Sequence, residues 1–202
     1  MITVVIPGLV VTADSGFRLL QNYAVVIEDS IIKELIPATE VKKKYPEAVY
    51  IEKPEMVLTP GFIQTHIHLC QTLFRGLADD LELLDWLQLR IFPYENAHNR
   101  SSLKASVQLG IDELLRGGTT TILDMGTKNH TDVIFDELIS SGIRAFAGKC
   151  MIDENDLYPV FKGNLKDELA ETYNLAKQYH GSAGGRVNYG FAPRFVLSCS
   201  EG

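Results

Sequence analysis

The chain has 202 residues, of which 46% are hydrophobic and 22% are charged, as in an ordinary globular protein with a sizeable core. Its net charge of −7 gives no reason to expect nucleic acid or an anionic membrane as a partner. Cys70, Cys150 and Cys199 are widely spaced, which indicates reduced thiols and not a disulfide framework. The apolar N-terminus lacks a basic region and breaks at Pro7-Gly8, so it is neither a signal peptide nor a membrane span, and we expect a cytoplasmic protein.

Residues 1–56 predict a small β module. Short β-branched runs alternate with turn residues, and they predict strands over ITVVI, LVVTA, YAVVIED, SIIKELI and VYIE. The stretch Val41–Ala48 is charged and predicts a polar surface segment.

Residues 57–202 instead alternate strand and helix patterns, which is typical of βα units with a parallel sheet. MVLTPGFIQTHIH predicts the first strand, and TTTILDM, IRAFAGKCM and VNYGFA predict three more. Between them we expect a helix that ends before Pro93, a helix capped by Ser101 or Ser102, a helix that stops at Gly142 and a helix capped by Asn164. In the last helix, the apolar face is predicted to hold Leu165, Leu169, Tyr173 and Ala176.

The number of units favours a barrel over an open sheet. A doubly wound open sheet carries a glycine-rich phosphate turn after its first strand, and here HIHLCQ occupies that position. A closed (β/α)8 barrel needs ~250 residues. We therefore expect an α/β fold in which about four βα units form the N-terminal half of a TIM-type barrel, preceded by the small β module.

Two histidines stand out at the end of the first of these strands. Side chains alternate along a strand, so His66 and His68 share one face, and at the carboxyl end of a barrel strand both would face the mouth where active sites lie. Two imidazoles so placed can bind one metal ion. The HxH spacing alone leaves an incidental pair as an equally good interpretation.

The surrounding blocks carry a family resemblance that covers essentially the whole chain. The blocks are PGFIQTHIH, LELLDWLQLRIFPYENAH, LLRGGTTTILDMGT, GIRAFAGKCMID and YGFAPRFVLSCSE. In order and spacing, they resemble blocks of the aminohydrolase and chlorohydrolase branch of the amidohydrolase superfamily, which includes guanine deaminase, deaminases of 5′-deoxyadenosine and S-adenosylhomocysteine, and triazine hydrolases.

The resemblance implies a metal-dependent deaminase of an amino-substituted purine or related heterocycle. His66 and His68 match two ligands of one divalent ion, commonly zinc and sometimes iron. The family takes its further ligands and its catalytic acid/base residues from strands that would follow Gly202, so we expect no catalytic residue here and an inactive N-terminal fragment. The alternatives are a triazine-type chlorohydrolase and a non-catalytic half-barrel module that associates with itself or with a missing C-terminal half.

The same resemblance implies a substrate pocket formed by Gln71, Trp86, Arg194 and Phe195. An arginine at the end of strand four can donate two parallel hydrogen bonds to the acceptor edge of a purine, and Phe195 can cover a ring. A carboxylate partner for Arg194 and a packing role for Trp86 are the structural alternatives. Binuclear members of the superfamily use a modified lysine on strand four to bridge two metal ions. Strand four of this chain ends without a lysine, so the resemblance implies a single metal ion.

Four further residues are candidates for the site. Lys149 suits either a cation beside the pocket or a salt bridge. His98 lies in or near a loop, and His130 suits either substrate contact or, preferably, a helix N-terminal hydrogen bond. His180 is expected at a helix C-terminus, where it complements the dipole.

Overall fold

The computed structural model describes residues 1–201, and it divides into two compact units, one of which is Met1–Pro60 while the other begins at Gly61. Within residues 1–201, no helix combines the length and the apolar character needed to cross a bilayer.

The first unit is a five-stranded mixed sheet with one short helix. Strand β1 pairs antiparallel with β2 and β3 and parallel with β5, and β4 pairs with β3. Buried Val41 of the helix packs with Val4 and Val26. The elements are β1 (Ile2–Val11), β2 (Leu19–Gln21), β3 (Tyr23–Glu28), β4 (Ile31–Pro37), α1 (Ala38–Lys44) and β5 (Val49–Leu58).

Three details of this unit differ from the sequence prediction. The predicted break at Pro7-Gly8 is wrong, because β1 continues through it with a register shift between Pro7 and Leu9 against β5. Helix α1 replaces part of the predicted polar segment, since its one buried side chain, Val41, anchors it. The residues Met56–Leu58 extend β5, so they do not begin the strand that carries the histidines.

The second unit contains the predicted parallel sheet. Strands β6, β7, β8 and β10 are parallel neighbours in chain order, and β9 and β11 form a separate two-stranded parallel sheet. Their bounds are β6 (Phe62–Ile67), β7 (Thr119–Asp124), β8 (Arg144–Ala147), β9 (Cys150–Met151), β10 (Val187–Tyr189) and β11 (Ala192–Pro193). The βα order read from the sequence is present in the structure.

The helices follow the strands in turn. They are α2 (Leu83–Trp86), a π-helical segment (Leu87–Ile91), α3 (Phe92–Ala97), α4 (Arg100–Arg116), α5 (Thr131–Ser141), α6 (Leu165–Tyr179) and the short α7 (Ser182–Gly185). The predicted stop before Pro93 is wrong. The wide π turn pairs the Phe92 N–H with the Leu87 carbonyl, and the Arg90 side chain donates to the Leu89 carbonyl that Pro93 leaves unpaired.

The helix caps agree with the sequence at two of three ends. Asn164 accepts from the N–H groups of Lys166 and Asp167, and Gly142 ends α5 in the left-handed conformation, both as predicted. The predicted serine cap of α4 is wrong. Asn99 is the N-cap, and Ser102 completes a reciprocal capping box with it.

The core of this unit lies between the sheet and helices α4, α5 and α6. The buried residues include Leu103 and Val107 of α4, Phe135 of α5 and Tyr179 of α6, with Phe135 stacked on Tyr179 at 4.5 Å between ring centroids. The opposite face of the sheet is exposed in this chain and carries Phe62, Leu123 and Phe146.

The apolar face predicted for α6 is wrong at three of its four positions. Leu165, Leu169 and Tyr173 are 37%, 39% and 55% exposed, while Glu168 and Thr172 are buried; Ala176 packs against the core as predicted. The burial of Glu168 follows from two lysines that approach it from the sheet side, because a charge is buried at tolerable cost only when it is paired.

Candidate active site

The two histidines lie together at the carboxyl end of the first parallel strand. His66 belongs to β6 and His68 follows it directly. Their Nε2 atoms are 3.2 Å apart and their rings are nearly perpendicular, at 74°. Both imidazoles therefore turn the same ring nitrogen towards one point in space.

A buried carboxyl group fixes the chain just after this pair. Asp124, at the end of β7, accepts hydrogen bonds from the Leu69 N–H at 2.8 Å and from the Gly126 N–H at 3.0 Å. Burial raises the pKa of Asp124 to about 7, and the two N–H donors oppose that rise. The residue thus joins the ends of the first two parallel strands and holds the backbone beside His68.

His68 is held in its neutral form. Burial, followed by the nearby Arg194 cation, lowers the pKa of His68 to about 4. Its Nδ1 atom is buried and has no hydrogen-bond partner among residues 1–201. A neutral imidazole is the form that binds a metal ion.

Glu95 is the centre of the polar contacts beside the histidines. Its carboxylate accepts from Gln71 Nε2 at 2.8 Å and from Arg194 Nη1 at 2.8 Å. The Glu95 side chain is 0% exposed and that of Arg194 is 6% exposed. Two of the predicted substrate-binding residues, Gln71 and Arg194, are therefore brought together by a residue that the sequence reasoning did not select.

Arg194 is enclosed on its other sides. Its guanidinium carbon lies 4.9 Å from the centroid of the Phe92 ring, and Nη1 also approaches Cys150 Sγ at 3.4 Å. Burial opposes the charge, but the Glu95 carboxylate outweighs that effect and raises the pKa of Arg194. The structural alternative for this arginine, a carboxylate partner, is thus present in the structure, and among residues 1–201 the Arg194 Nε–H has no acceptor.

The remaining predicted pocket residues, Trp86 and Phe195, are partly buried. Both pack against the cluster of Leu87, Ile91, Phe92, Cys150, Ile152 and Phe161. Trp86 also lines a cleft of about 970 Å³ together with His68 and Gln71. Phe195 does not line that cleft; it borders a smaller one of about 240 Å³.

His68, Cys70 and Glu95 form a second possible donor group. Their ligand-type atoms lie within 4.8 Å of one another. Burial raises the pKa of the Cys70 thiol well above its ordinary value, which opposes formation of a thiolate. Since the Glu95 carboxylate is already paired with Arg194, this trio does not offer a ready set of metal ligands.

Lys149 has a structural environment. Its buried ammonium donates to the Lys128 carbonyl and lies 3.1 Å from Glu171 and 3.5 Å from Glu168. Lys128 donates to the other oxygen of Glu168 at 2.6 Å. Of the two interpretations left open by the sequence, the salt bridge is the one present.

The other histidines lie at helix ends. His98 follows α3 and bonds through Nε2 to the Cys70 carbonyl at 2.7 Å. His130 is the N-cap of α5 in the left-handed conformation, but the predicted hydrogen bond from its side chain to the helix end is wrong. His180 ends α6 as predicted, and its Nδ1 accepts from the Tyr189 N–H.

Residues 57–202 match the sequence profile of the Amidohydrolase family. The chain belongs to that family, which confirms the resemblance read from its motifs.

Several deaminases are similar to this chain. The 5-methylthioadenosine/S-adenosylhomocysteine deaminase of Thermococcus onnurineus is 34% identical over 188 residues, which are 92% of this chain and 43% of that protein. The structure of guanine deaminase from C. acetobutylicum with guanine in its active site is 26% identical, with a TM-score of 0.85 over 99% of this chain and 48% of that one.

An adenosine deaminase from Xanthomonas campestris, solved with bound zinc, is 26% identical with a TM-score of 0.81. It aligns with 94% of this chain and 42% of its own length. The chain thus spans less than half the length of the enzymes it matches, all three of which are deaminases.

Proposed function

We propose that these 202 residues form the N-terminal half of a metal-dependent amidohydrolase barrel that deaminates an amino-substituted purine. The observation that carries the proposal is the pair of Nε2 atoms of His66 and His68, 3.2 Å apart at the carboxyl end of the first parallel strand. In barrels of this architecture, the active site lies at the carboxyl ends of the strands.

The half-barrel assignment rests on the sheet. Its four parallel strands are neighbours in chain order, and one face carries exposed Phe62, Leu123 and Phe146. Parallel sheets are normally covered on both faces, and the interior of a barrel is filled by side chains from all of its strands. The domain division that we propose is a β module that includes all of β5 and a barrel half that begins at Gly61, four residues beyond the predicted start at residue 57.

The histidine pair fits a divalent metal ion. Two nitrogens that bind one tetrahedral zinc at ~2.0–2.1 Å stand about 3.3 Å apart, close to the observed separation. His68 is neutral, so no proton has to leave it before binding. A bound metal would supply a Lewis acid that brings the pKa of a water towards neutrality. Zinc is the ion we propose, and the zinc-bound Xanthomonas deaminase supports that choice.

Gln71 and Arg194 are proposed to bind the heterocycle. Both lie beside His68, and a purine that hydrogen-bonds to them would be held next to the metal site. Trp86 lines a cleft together with His68 and Gln71 and offers an apolar wall, and Phe195 is proposed as a second ring contact. The part of this chain is therefore proposed to be holding the metal and orienting the base, and the catalytic acid and base are proposed to come from the rest of the full-length protein.

Zinc content and ammonia release test the proposal in the protein at its natural full length. His66→Asn and His68→Asn should each lower bound zinc to less than about 0.1 ion per chain, because each removes one of the two metal ligands that residues 1–201 are proposed to provide. His180→Asn is the matched control, since that histidine lies at the end of α6 and bonds to Tyr189. Guanine and 5′-deoxyadenosine are the substrates to assay.

Two results would contradict the proposal. One is full zinc occupancy in either histidine variant, and the other is no ammonia from either substrate with zinc-loaded wild-type protein. The isolated 202-residue chain should bind zinc weakly and release no ammonia, because a catalytic zinc site usually has three protein ligands and this pair provides two.

A further inference from the structure

We propose that His98 is a positioning residue that holds the segment Leu69–Phe74 in place, between the histidine pair and one wall of the cleft of about 970 Å³. This role rests on the proposed function, because it concerns the same metal and substrate site. It starts from the hydrogen bond between His98 Nε2 and the Cys70 carbonyl, at 2.7 Å.

This hydrogen bond reaches a peptide group that is also tied to a proposed metal ligand. The peptide group joins Cys70 to Gln71. Its carbonyl oxygen accepts from His98, and its N–H donates to the His68 carbonyl at 3.0 Å. Because a peptide group is planar, its orientation affects both the backbone of His68 and the direction in which the Gln71 side chain leaves the chain. His68 and Gln71 both line the cleft.

The face of the same imidazole supports the wall of the cleft. Phe74, which lines the cleft, stacks on His98 with 5.1 Å between ring centroids and 27° between ring planes. The His98 side chain is buried, so the ring has little room to turn away from these contacts. One side chain therefore contacts the segment near its start, at Cys70, and at its end, at Phe74.

Hydrogen bonds from the start of α4 fix the orientation of the imidazole. The Asn99 N–H donates to Ser102 Oγ at 3.1 Å, and Ser102 Oγ lies 3.0 Å from His98 Nδ1. A carbonyl oxygen only accepts, so Nε2 must carry a hydrogen in order to bond to Cys70. In the neutral ring, Nδ1 can then accept from the Ser102 hydroxyl. The capping box of α4 is thereby connected to the segment that follows the histidine pair.

Leu69 has anchors of its own, which are independent of His98. Its N–H donates to Asp124, and its carbonyl accepts from Ser106 Oγ at 2.8 Å. These contacts hold the first residue after the pair, whereas His98 holds the residues beyond it. Loss of the His98 contact should therefore loosen Gln71 and Phe74 while the second unit stays folded.

Two substitutions separate the contact with Cys70 from the contact with α4. In His98→Gln, the carboxamide nitrogen lies about where Nε2 lies in histidine, and in His98→Asn it lies about where Nδ1 lies. The first variant can still donate to Cys70, and the second can still reach Ser102. Both lose the stack on Phe74, so they are a matched pair that differs in the Cys70 hydrogen bond.

Zinc affinity, the kinetics of ammonia release and the melting temperature are measured in the full-length protein. His98→Asn should weaken zinc binding about 10-fold in competition with a chelator. At saturating zinc its KM should rise about 10-fold with kcat within about 3-fold of wild type, because Gln71 and Phe74 line the cleft while the acid and base are proposed to lie elsewhere. His98→Gln should keep zinc affinity, KM and kcat within about 3-fold of wild type.

A purely structural role for His98 gives a different result. It would lower the melting temperature of both variants equally and leave the zinc affinity and KM of the folded proteins at wild-type values. That result would overturn the assignment, and so would a His98→Gln protein that is no better than His98→Asn.

Ser102→Ala decides the matter if His98→Asn does not fold. It removes the α4 end of the chain of hydrogen bonds and leaves the Cys70 contact. Loss of the capping box should lower the melting temperature, whereas zinc affinity and KM should stay within about 2-fold of wild type. A larger change in either quantity would show that the cap of α4 sets the geometry of the site, and it would overturn the inference.

The failure of the proposed function is distinguishable from the failure of this inference. If wild type holds zinc and releases ammonia but both His98 variants match it, only the His98 assignment fails. If wild type neither holds zinc nor releases ammonia, the proposed function fails and this inference fails with it.

Discussion

Replacing Asp124 with alanine should weaken both the fold of the second unit and the metal site. The Asp124 side chain is buried and accepts two backbone hydrogen bonds, from Leu69 and Gly126. Its removal leaves two buried N–H groups unpaired, each at a cost of about 1–3 kcal/mol, so the free energy of unfolding should fall by about 2–6 kcal/mol. Leu69 follows His68 directly, and loss of this anchor should lower zinc affinity about 10- to 100-fold, as supporting residues around metal ligands do.

Urea unfolding followed by tryptophan fluorescence measures the first effect, because Trp86 is the single tryptophan and lies in the second unit. Competition with a zinc chelator measures the second effect. Asp112→Ala is the control, since that exposed carboxylate bonds only to Arg116 one turn away, and it should change stability by no more than about 0.5 kcal/mol. An Asp124→Ala protein with less than about 1 kcal/mol of destabilisation and unchanged zinc affinity would refute the reasoning.

Two other predictions concern buried charges. The pKa of Asp124 is raised from 3.8 to about 7, so the folded state binds this proton more tightly than the unfolded state does. The free energy of unfolding should therefore fall as pH rises from about 4 to about 7. A difference in unfolding free energy between wild type and Asp124→Asn that stays constant across this pH range would contradict the prediction. Lys149→Met should lower the free energy of urea unfolding by about 1–3 kcal/mol, because the buried Lys128 carbonyl loses its Lys149 donor while Glu168 keeps its pair with Lys128. Lys177→Met on the exposed side of α6 should cost less than about 0.5 kcal/mol.

The parts of the fold that the sequence predicted correctly depend on near neighbours in the chain. Asn164 caps α6 through N–H groups two and three residues on, and Gly142 ends α5 because a left-handed residue is needed there. The order of the parallel strands follows from the alternation of strand and helix patterns, because consecutive βα units place successive strands side by side. These features need no knowledge of distant contacts.

The features that the sequence did not predict depend on residues far apart in the chain. Glu168 looks like a solvent-facing charge on α6, yet it is buried by Lys128 and Lys149, 40 residues and 19 residues earlier. The apolar stripe was therefore assigned to the wrong face of the helix. A glutamate between leucines can be recognised as buried only when its partner lysines are known to lie at the ends of adjacent strands.

The same limit applies to the candidate site. The HxH pair is local and was found, but Glu95 is a single carboxylate in a helical segment and meets Arg194 across 99 residues of sequence. One signal was available. Glu95 is three residues after Phe92 and four after Ile91, so it lies on the same buried face of the helix as these two apolar residues. A charge on an apolar face indicates a partner, although it does not identify that partner.

The buried Glu95 carboxylate balances the charge of the site. Arg194 is a buried cation close enough to His68 to lower the pKa of that imidazole. An unpaired arginine there would also repel the divalent ion that we propose for the histidines, because a charge is poorly screened in a protein interior. The Glu95 carboxylate neutralises Arg194 while it leaves one guanidinium edge for hydrogen bonding. The proposed metal and the proposed base contact can thus be neighbours because a third, negatively charged residue lies between them.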